Sequence, residues 1–335
     1  MAAPRVLITA RAFFSAGRQA AEPLLARGIE VVRAPRFGPL SEDELIAALR
    51  GCAGVIASSD PYTARVFAAV PELRIIARTG VGYDSIDLPA ATAHGVAVVI
   101  TPGRIAETVA DFAFGQMLAL ARRLPEASEL MRRGGWAAEL PGTDVWGRCL
   151  GVVGMGAVGA AVAARARGFA MRVLGCDPGL SPEAITARGA EPVPLHQLLA
   201  AADFVTLHAA LTPGSRRLIG ADALALMKPS AYLINTARGG LVDADALLEA
   251  LDAGRLAGAA LDAFDQEPLP AEHPLRQAPR CLLSPHIAFS TRQNSLDMSR
   301  RAAEAAARVV TGLPAGDGVR TLNPEVLAGP GPQGG

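Results

Sequence analysis

The sequence predicts an α/β protein of two domains, each built on a doubly wound parallel sheet. Three observations carry that expectation. The chain has 335 residues, and at roughly 150 residues per domain this gives two, each long enough to bury its own core. Short apolar runs alternate with helical stretches along most of it, the pattern of repeated strand–helix–strand units. One such run, Leu150-Gly151-Val152-Val153, closes on Gly154-Met155-Gly156-Ala157-Val158-Gly159 and passes directly into alanine-rich helical sequence. A strand turning that tightly into a helix makes a GxGxxG fingerprint.

In chain order, Val6–Thr9 reads as a first strand, Gln19–Arg27 as a helix and Ile29–Val32 as a second strand. Ser41 with Glu44 three residues on forms a capping box that opens a helix to Leu49. Val55–Ala57 and Arg74–Ala77 are short strands, and the first turn, Thr9-Ala10-Arg11-Ala12, has no glycine fingerprint. Val96–Ile100 is a strand stopped by Thr101-Pro102-Gly103, and a long helix follows from Glu107 to about Arg123. Thr-Pro-Gly between strand and helix marks a crossing between domains, placed near residue 101. Six strands then follow, at 150–153, 171–176, 204–207, 231–235, 258–263 and 281–284. A helix from Thr291 to about Thr311 returns to the first domain. The expected boundaries are 1–100 with 291–327 for a discontinuous first domain, 101–290 for the second, and a Gly/Pro-rich disordered tail over 328–335.

In a chain with 35 glycines a GxGxxG alone is weak. The strand Met171–Cys176 strengthens it by ending at Asp177, about 20 residues beyond the glycines, where a carboxylate accepts hydrogen bonds from a ribose diol. Nothing basic follows in Pro178-Gly179-Leu180 to welcome a 2′-phosphate, so the expected cofactor is NAD. Gly154 makes the turn, Gly156 lets the phosphates approach, Gly159 lets the helix close on the sheet, and Ala157 and Val158 stand at the helix N-terminus.

Ligands of open α/β sheets lie beyond the carboxyl ends of the strands. Arg238 follows the strand ending Asn235-Thr236-Ala237, Asp262 ends another, Glu267 lies five residues later, and His286 follows Ser284-Pro285. A guanidinium forks onto a carboxylate, and an imidazole exchanges protons near neutrality when a carboxylate holds its tautomer. Together these groups suit reduction of a 2-oxo acid. Taken singly each has an ordinary reading: a surface arginine, loop punctuation at Glu267-Pro268, a hydrogen-bonded histidine. His208 also follows a strand and is the rival histidine; His94, His196 and His273 read as structural.

Asn235–Asp243, Leu261–Pro268, Ser284–Ala288, Arg78–Asp87 and the fingerprint block together resemble the D-isomer-specific 2-hydroxyacid dehydrogenases over about residues 5 to 325. The resemblance implies two Rossmann-like domains, a substrate-binding lid and an NAD-binding domain. It implies that Arg238 binds the substrate carboxylate and carbonyl oxygen, that Glu267 orients His286, and that His286 transfers the hydroxyl proton while hydride moves at the nicotinamide. It places Asp262 at the carboxamide, Thr108, His208, Thr236 and Ala237 along the cofactor, and the backbone of Val81 and Gly82, with Ser59, on the substrate. It also implies a homodimer embraced by the long helix and the arm after it.

Phe289 departs from the commonest pattern and resembles the C-terminal-binding-protein branch, whose animal members are NAD-sensing corepressors; an NAD(H)-sensing dimeric scaffold is therefore the alternative to the enzyme. Ile100 and Ile105 replace asparagines common around Thr-Pro-Gly. The loop Ala57-Ser58-Ser59-Asp60-Pro61 lacks the basic residues of phosphoglycerate members, and a phosphate is expected to meet Asp60. Glyoxylate and hydroxypyruvate therefore rank above a phosphorylated substrate. With 32 Lys+Arg against 32 Asp+Glu the balance implies no nucleic-acid or membrane surface. The four separated cysteines have no metal-ligand spacing and read as reduced thiols, which places the protein in the cytoplasm with no metal.

Overall fold

The computed structural model describes residues 3–36, 39–136 and 139–328. The chain forms two compact units, Met1–Ile105 with Ser290–Gly335, and Ala106–Phe289. Beyond Ala328 the expected tail lies outside the described residues.

The first unit begins β1 (Arg5–Ile8), α1 (Arg11–Ser15), α2 (Arg18–Leu25), β2 (Glu30–Arg33), α3 (Glu42–Leu49), β3 (Gly54–Ala57), α4 (Ala64–Ala69), β4 (Ile75–Arg78), α5 (Leu88–Ala93) and β5 (Ala97–Ile100). The capping box forms: the Glu44 amide donates to Ser41 Oγ at 3.3 Å and the Ser41 amide to Glu44 Oε2 at 2.8 Å. The crossing to the second unit comes at Ile105–Ala106, because Thr101 is still tied back to the first. Its amide donates to the Gly80 carbonyl at 2.9 Å, and its hydroxyl accepts from Gly80 N at 2.8 Å.

The second unit holds α6 (Ile105–Ala121), α7 (Leu124–Arg132), β6 (Cys149–Val153), α8 (Ala157–Ala166), β7 (Arg172–Cys176), α9 (Pro182–Ala187), β8 (Glu191–Pro192), α10 (Leu195–Ala201), β9 (Phe204–Leu207), α11 (Ala221–Leu226), β10 (Tyr232–Asn235), α12 (Ala244–Asp252), β11 (Gly258–Leu261) and β12 (Cys281–Leu283). The long helix stops at Ala121, two residues before Arg123 takes a left-handed φ of 51°. Last come α13 (Arg292–Val310) and β13 (Arg320–Thr321), which belong to the first unit.

The first sheet runs β13-β5-β4-β3-β1-β2, parallel except where Arg320 and Thr321 lie antiparallel to Ile100 and Val99. The second runs β12-β11-β10-β9-β6-β7-β8, parallel throughout, so it has seven strands where the sequence predicted six. The extra one, Glu191–Pro192, is a two-residue edge pairing with Leu174 and Gly175. The central strands of both sheets are buried on both faces, as parallel sheets between helix layers must be. On the first, α13 packs Ala302, Ala303, Ala306 and Val310 with Val6, Ile56, Ile75 and Leu24 in one apolar cluster. On the second, α6 and α8 cover Leu150, Val152 and Ile234.

Candidate active site

The nucleotide loop follows from what side chains would do there. A Cβ on Gly154, whose φ is +89°, would stand 2.5 Å from Ala209 N, and one on Gly159 would stand 2.1 Å from the Gly154 carbonyl. Both glycines are demanded by packing within the protein. A Cβ on Gly156 would meet nothing within 4 Å, so that position is stripped toward open space. The first amides of α8 open there, with no side chain capping them. Asp177 ends β7 beside this turn, its Oδ2 accepting from Met155 N at 2.8 Å and its Oδ1 from Gly179 N at 2.9 Å. At the end of β10 the buried Thr236 hydroxyl finds no partner among the described residues. An open glycine cradle, a fixed acid at the next strand and an orphaned hydroxyl fit a bound dinucleotide. Thr108 is half-buried on the first turns of α6.

His208 sits where its neutral form is favoured. Burial drives its imidazole down to about 3, so it stays neutral across ordinary pH, with Nε2 against Thr206 Oγ1 at 2.9 Å.

The second group of residues is assembled by three neighbouring strand ends. After β10, the buried Asn235 pins the turn: its Oδ1 accepts from Ala237 N at 3.0 Å and its Nδ2 donates to the Arg238 carbonyl at 2.8 Å. Arg238 is half-buried, with Nη1 donating to the Ala237 carbonyl at 2.8 Å. A Cβ on Gly239 would come 2.0 Å from the Phe264 carbonyl carbon, so only glycine lets this loop lie against the one carrying Glu267. Glu267 Oε1 accepts from Phe264 N at 3.0 Å and Oε2 meets His286 Nδ1 at 2.7 Å. Burial by itself raises that carboxyl, but the hydrogen bonds from His286 and Phe264 N and the charge of Arg238 outweigh it and hold Glu267 below its ordinary range. Nδ1 thus carries a proton toward a lasting carboxylate, and Nε2 is left for chemistry. The Phe289 ring stands edge-on to the imidazole, centroids 6.3 Å apart at 74°. Asp262, only 1% exposed, accepts from the amides of Ile287 at 3.0 Å and Ala288 at 2.8 Å.

In the first unit, Ser59 and the Val81–Gly82 loop lie just beyond the carboxyl ends of the paired strands β3 and β4. Arg78 Nε donates to the Gly82 carbonyl at 2.8 Å, bracing that loop. Asp60 corrects the sequence reading. It is fully buried, accepting Thr9 Oγ1 at 2.5 Å and Leu40 N at 3.0 Å, so it ties loops together and does not face a ligand. A polar residue between Ser59 and Pro61 reads as exposed until its two partners, far away in sequence, are known.

All four cysteines are free, and burial raises their thiols, that of Cys281 to about 12. No cluster able to hold a metal occurs among the described residues, and no helix among them is long and apolar enough to cross a membrane.

Comparison with known proteins gives the family. Residues 114–288 match the model of the D-isomer specific 2-hydroxyacid dehydrogenase NAD-binding domain. A glyoxylate reductase of Korarchaeum cryptofilum is 44% identical over 272 residues, 79% of this chain and 82% of that protein. A D-3-phosphoglycerate dehydrogenase of Synechocystis is 39% identical over 292 residues, 86% of this chain but only 52% of that enzyme. The crystal structure of the TT0316 protein from Thermus thermophilus matches with a TM-score of 0.85 and 38% identity, over 95% of this chain and 99% of that one. A chain of this kind is an NAD-dependent oxidoreductase of two Rossmann-like units, acting on hydroxy acids. It belongs to the D-isomer specific 2-hydroxyacid dehydrogenase family.

Proposed function

We propose that this enzyme reduces small 2-oxo acids, glyoxylate and hydroxypyruvate foremost, to D-2-hydroxy acids, with His286 as the proton donor. The observation that carries the reading is the 2.7 Å contact between His286 Nδ1 and Glu267 Oε2, with the Arg238 charge acting on the same carboxylate. Arg238 forks onto the substrate carboxylate and polarises its carbonyl oxygen. His286 Nε2 delivers its proton to the oxygen as that atom gains charge, and Glu267 steadies the imidazolium before and the correct tautomer after. Bound NADH supplies the hydride. Gly154, Gly156, Ala157, Val158 and Gly159 hold its pyrophosphate, Asp177 its ribose, and Thr108, His208, Thr236, Ala237 and Asp262 the remaining edge. Val81, Gly82 and Ser59 are further substrate contacts.

Substrate size rests on two supports. Glyoxylate reductases are among the relatives, one 44% identical over 272 residues and another 39% over 305. The Phe289 ring, edge-on to the His286 imidazole, would narrow the space beside it against a long 2-oxo acid. We further propose a homodimer: α7 buries none of its own residues, and Leu124, Met131, Trp136 at 85% and Trp146 at 73% exposure are large apolar side chains that a second copy would cover. Sedimentation of the wild type against Trp136→Ser tests that, a monomeric wild type overturning it. Four free thiols fit the cytoplasm.

The test of the chemistry is NADH oxidation across a panel of 2-oxo acids. His286→Ala is expected to lose about 1000-fold in turnover while still binding NADH. Reduction takes up a proton and oxidation releases one, so rising pH should slow the first and quicken the second. Near-normal turnover in the variant, or parallel pH trends in the two directions, defeats the assignment.

A further inference from the structure

Resting on the reading of His286 as proton donor, we infer that Gln116 and Ser284 are positioning residues for it, through a buried hydrogen-bond chain that holds the turn presenting the imidazole.

The backbone at His286 has a φ of +53°, a left-handed conformation that L side chains other than Asn and Asp seldom adopt. Such a conformation persists only where its surroundings over-determine it. Asp262 supplies that constraint, gripping the two peptides immediately after His286 through the Ile287 and Ala288 amides. The carboxylate is fixed in turn by Ser284 Oγ, which donates to Oδ1 at 2.5 Å, and the Ser284 carbonyl accepts from His286 N at 3.0 Å. The turn is thus held from both sides by one serine and one aspartate.

Gln116, on α6, extends the chain. Its Nε2 lies 3.0 Å from Ser284 Oγ. A hydroxyl has a single proton, and that of Ser284 goes to Asp262, so toward Gln116 it can only accept. The direction of the whole chain is fixed: amide to hydroxyl to carboxylate. It also dictates which way the amide faces, and Gln116 Oε1 is left buried with no partner among the described residues. An orphaned buried acceptor is expensive, on a helix whose other buried residues are Val109, Ala110, Ala113, Phe114, Met117 and Ala121. An apolar side chain would pack there without that loss. What the amide adds is a donor that keeps the Ser284 proton on Asp262, and with it the geometry of the 2.7 Å contact between His286 and Glu267.

The experiment compares the full-length wild type, Ser284→Ala, Gln116→Met and His286→Ala. It measures kcat and KM for glyoxylate, the Kd for NADH, the pH profile of kcat and Tm. Misplacing a general acid should lower kcat about tenfold in Ser284→Ala and about threefold in Gln116→Met. The pH profile should move with it, because the imidazole no longer keeps its bond to Glu267, while the Kd for NADH stays within about twofold. If both variants lose only Tm and keep the wild-type kcat and pH profile, the chain is merely structural and the inference falls. Should Ser284→Ala not fold, Gln116→Met decides alone by the same readings. The His286→Ala arm separates the two levels: turnover surviving there removes the reading beneath, whereas a dead His286→Ala beside unaffected Ser284 and Gln116 variants overturns the positioning role only.

Discussion

The two units solve the same fold in opposite ways at their first strand–helix turn. After β1 the turn Thr9-Ala10-Arg11 has no glycine, and the space beyond the strand is filled from within, Thr9 donating to a fully buried Asp60 that also anchors Leu40. After β6 the corresponding turn carries Gly154, Gly156 and Gly159, and the space beyond is stripped so that a Cβ at Gly156 would touch nothing. A parallel α/β sheet therefore does not make a nucleotide site by topology alone. The sheet offers an end, and the side chains decide whether the protein or a ligand occupies it.

Substitutions at the two turns should separate stability from binding. The largest effect is expected from Asp60→Ala, which orphans the buried Thr9 hydroxyl and the Leu40 amide. Chemical denaturation should show a loss of about 3 kcal/mol with unchanged NADH affinity. A loss of NADH binding instead would mean that the filled turn is part of the nucleotide site. Next comes Gly156→Ala. Its φ of −66° suits alanine and its Cβ has room, so Tm should hold while the Kd for NADH rises about tenfold, or 1.4 kcal/mol. Unaltered affinity would show that the open space is not where the phosphates lie.

The third test concerns pH. His208 titrates near 6.5 when unfolded but is held to about 3 in the fold by burial, so the unfolded chain binds more protons between those values. Stability should therefore be complete above about pH 6.5 and decline as pH falls toward 3. His208→Gln should flatten that slope in denaturation series from pH 7 to 4. An unchanged slope would place the lost stability in the carboxylates.

Much of this was legible from residues alone. The fingerprint, Asp177 and the capping box at Ser41 are local signals, each made by side chains acting on their own backbone. Arg238, Glu267 and His286 were legible because the sheet rule puts strand ends together. Two-residue strands such as Glu191–Pro192 and Arg320–Thr321 carry no period and escape such reading. The buried polar groups escape it too, because their meaning lies in distant partners. Gln116 had one visible trace, a lone amide in the charge-free apolar stretch from Phe112 to Ala121. Asp60 had none.

The helix that completes the core of the first unit, with Ala302, Ala306 and Val310 packed on β1, β3 and β4, lies nearly two hundred residues beyond β5. As the polypeptide leaves the ribosome, the second unit has its entire sequence in hand once Phe289 emerges, although it was begun later. The first hundred residues therefore leave the ribosome long before the helix that covers their sheet, and that apolar face can close only once α13 has been made.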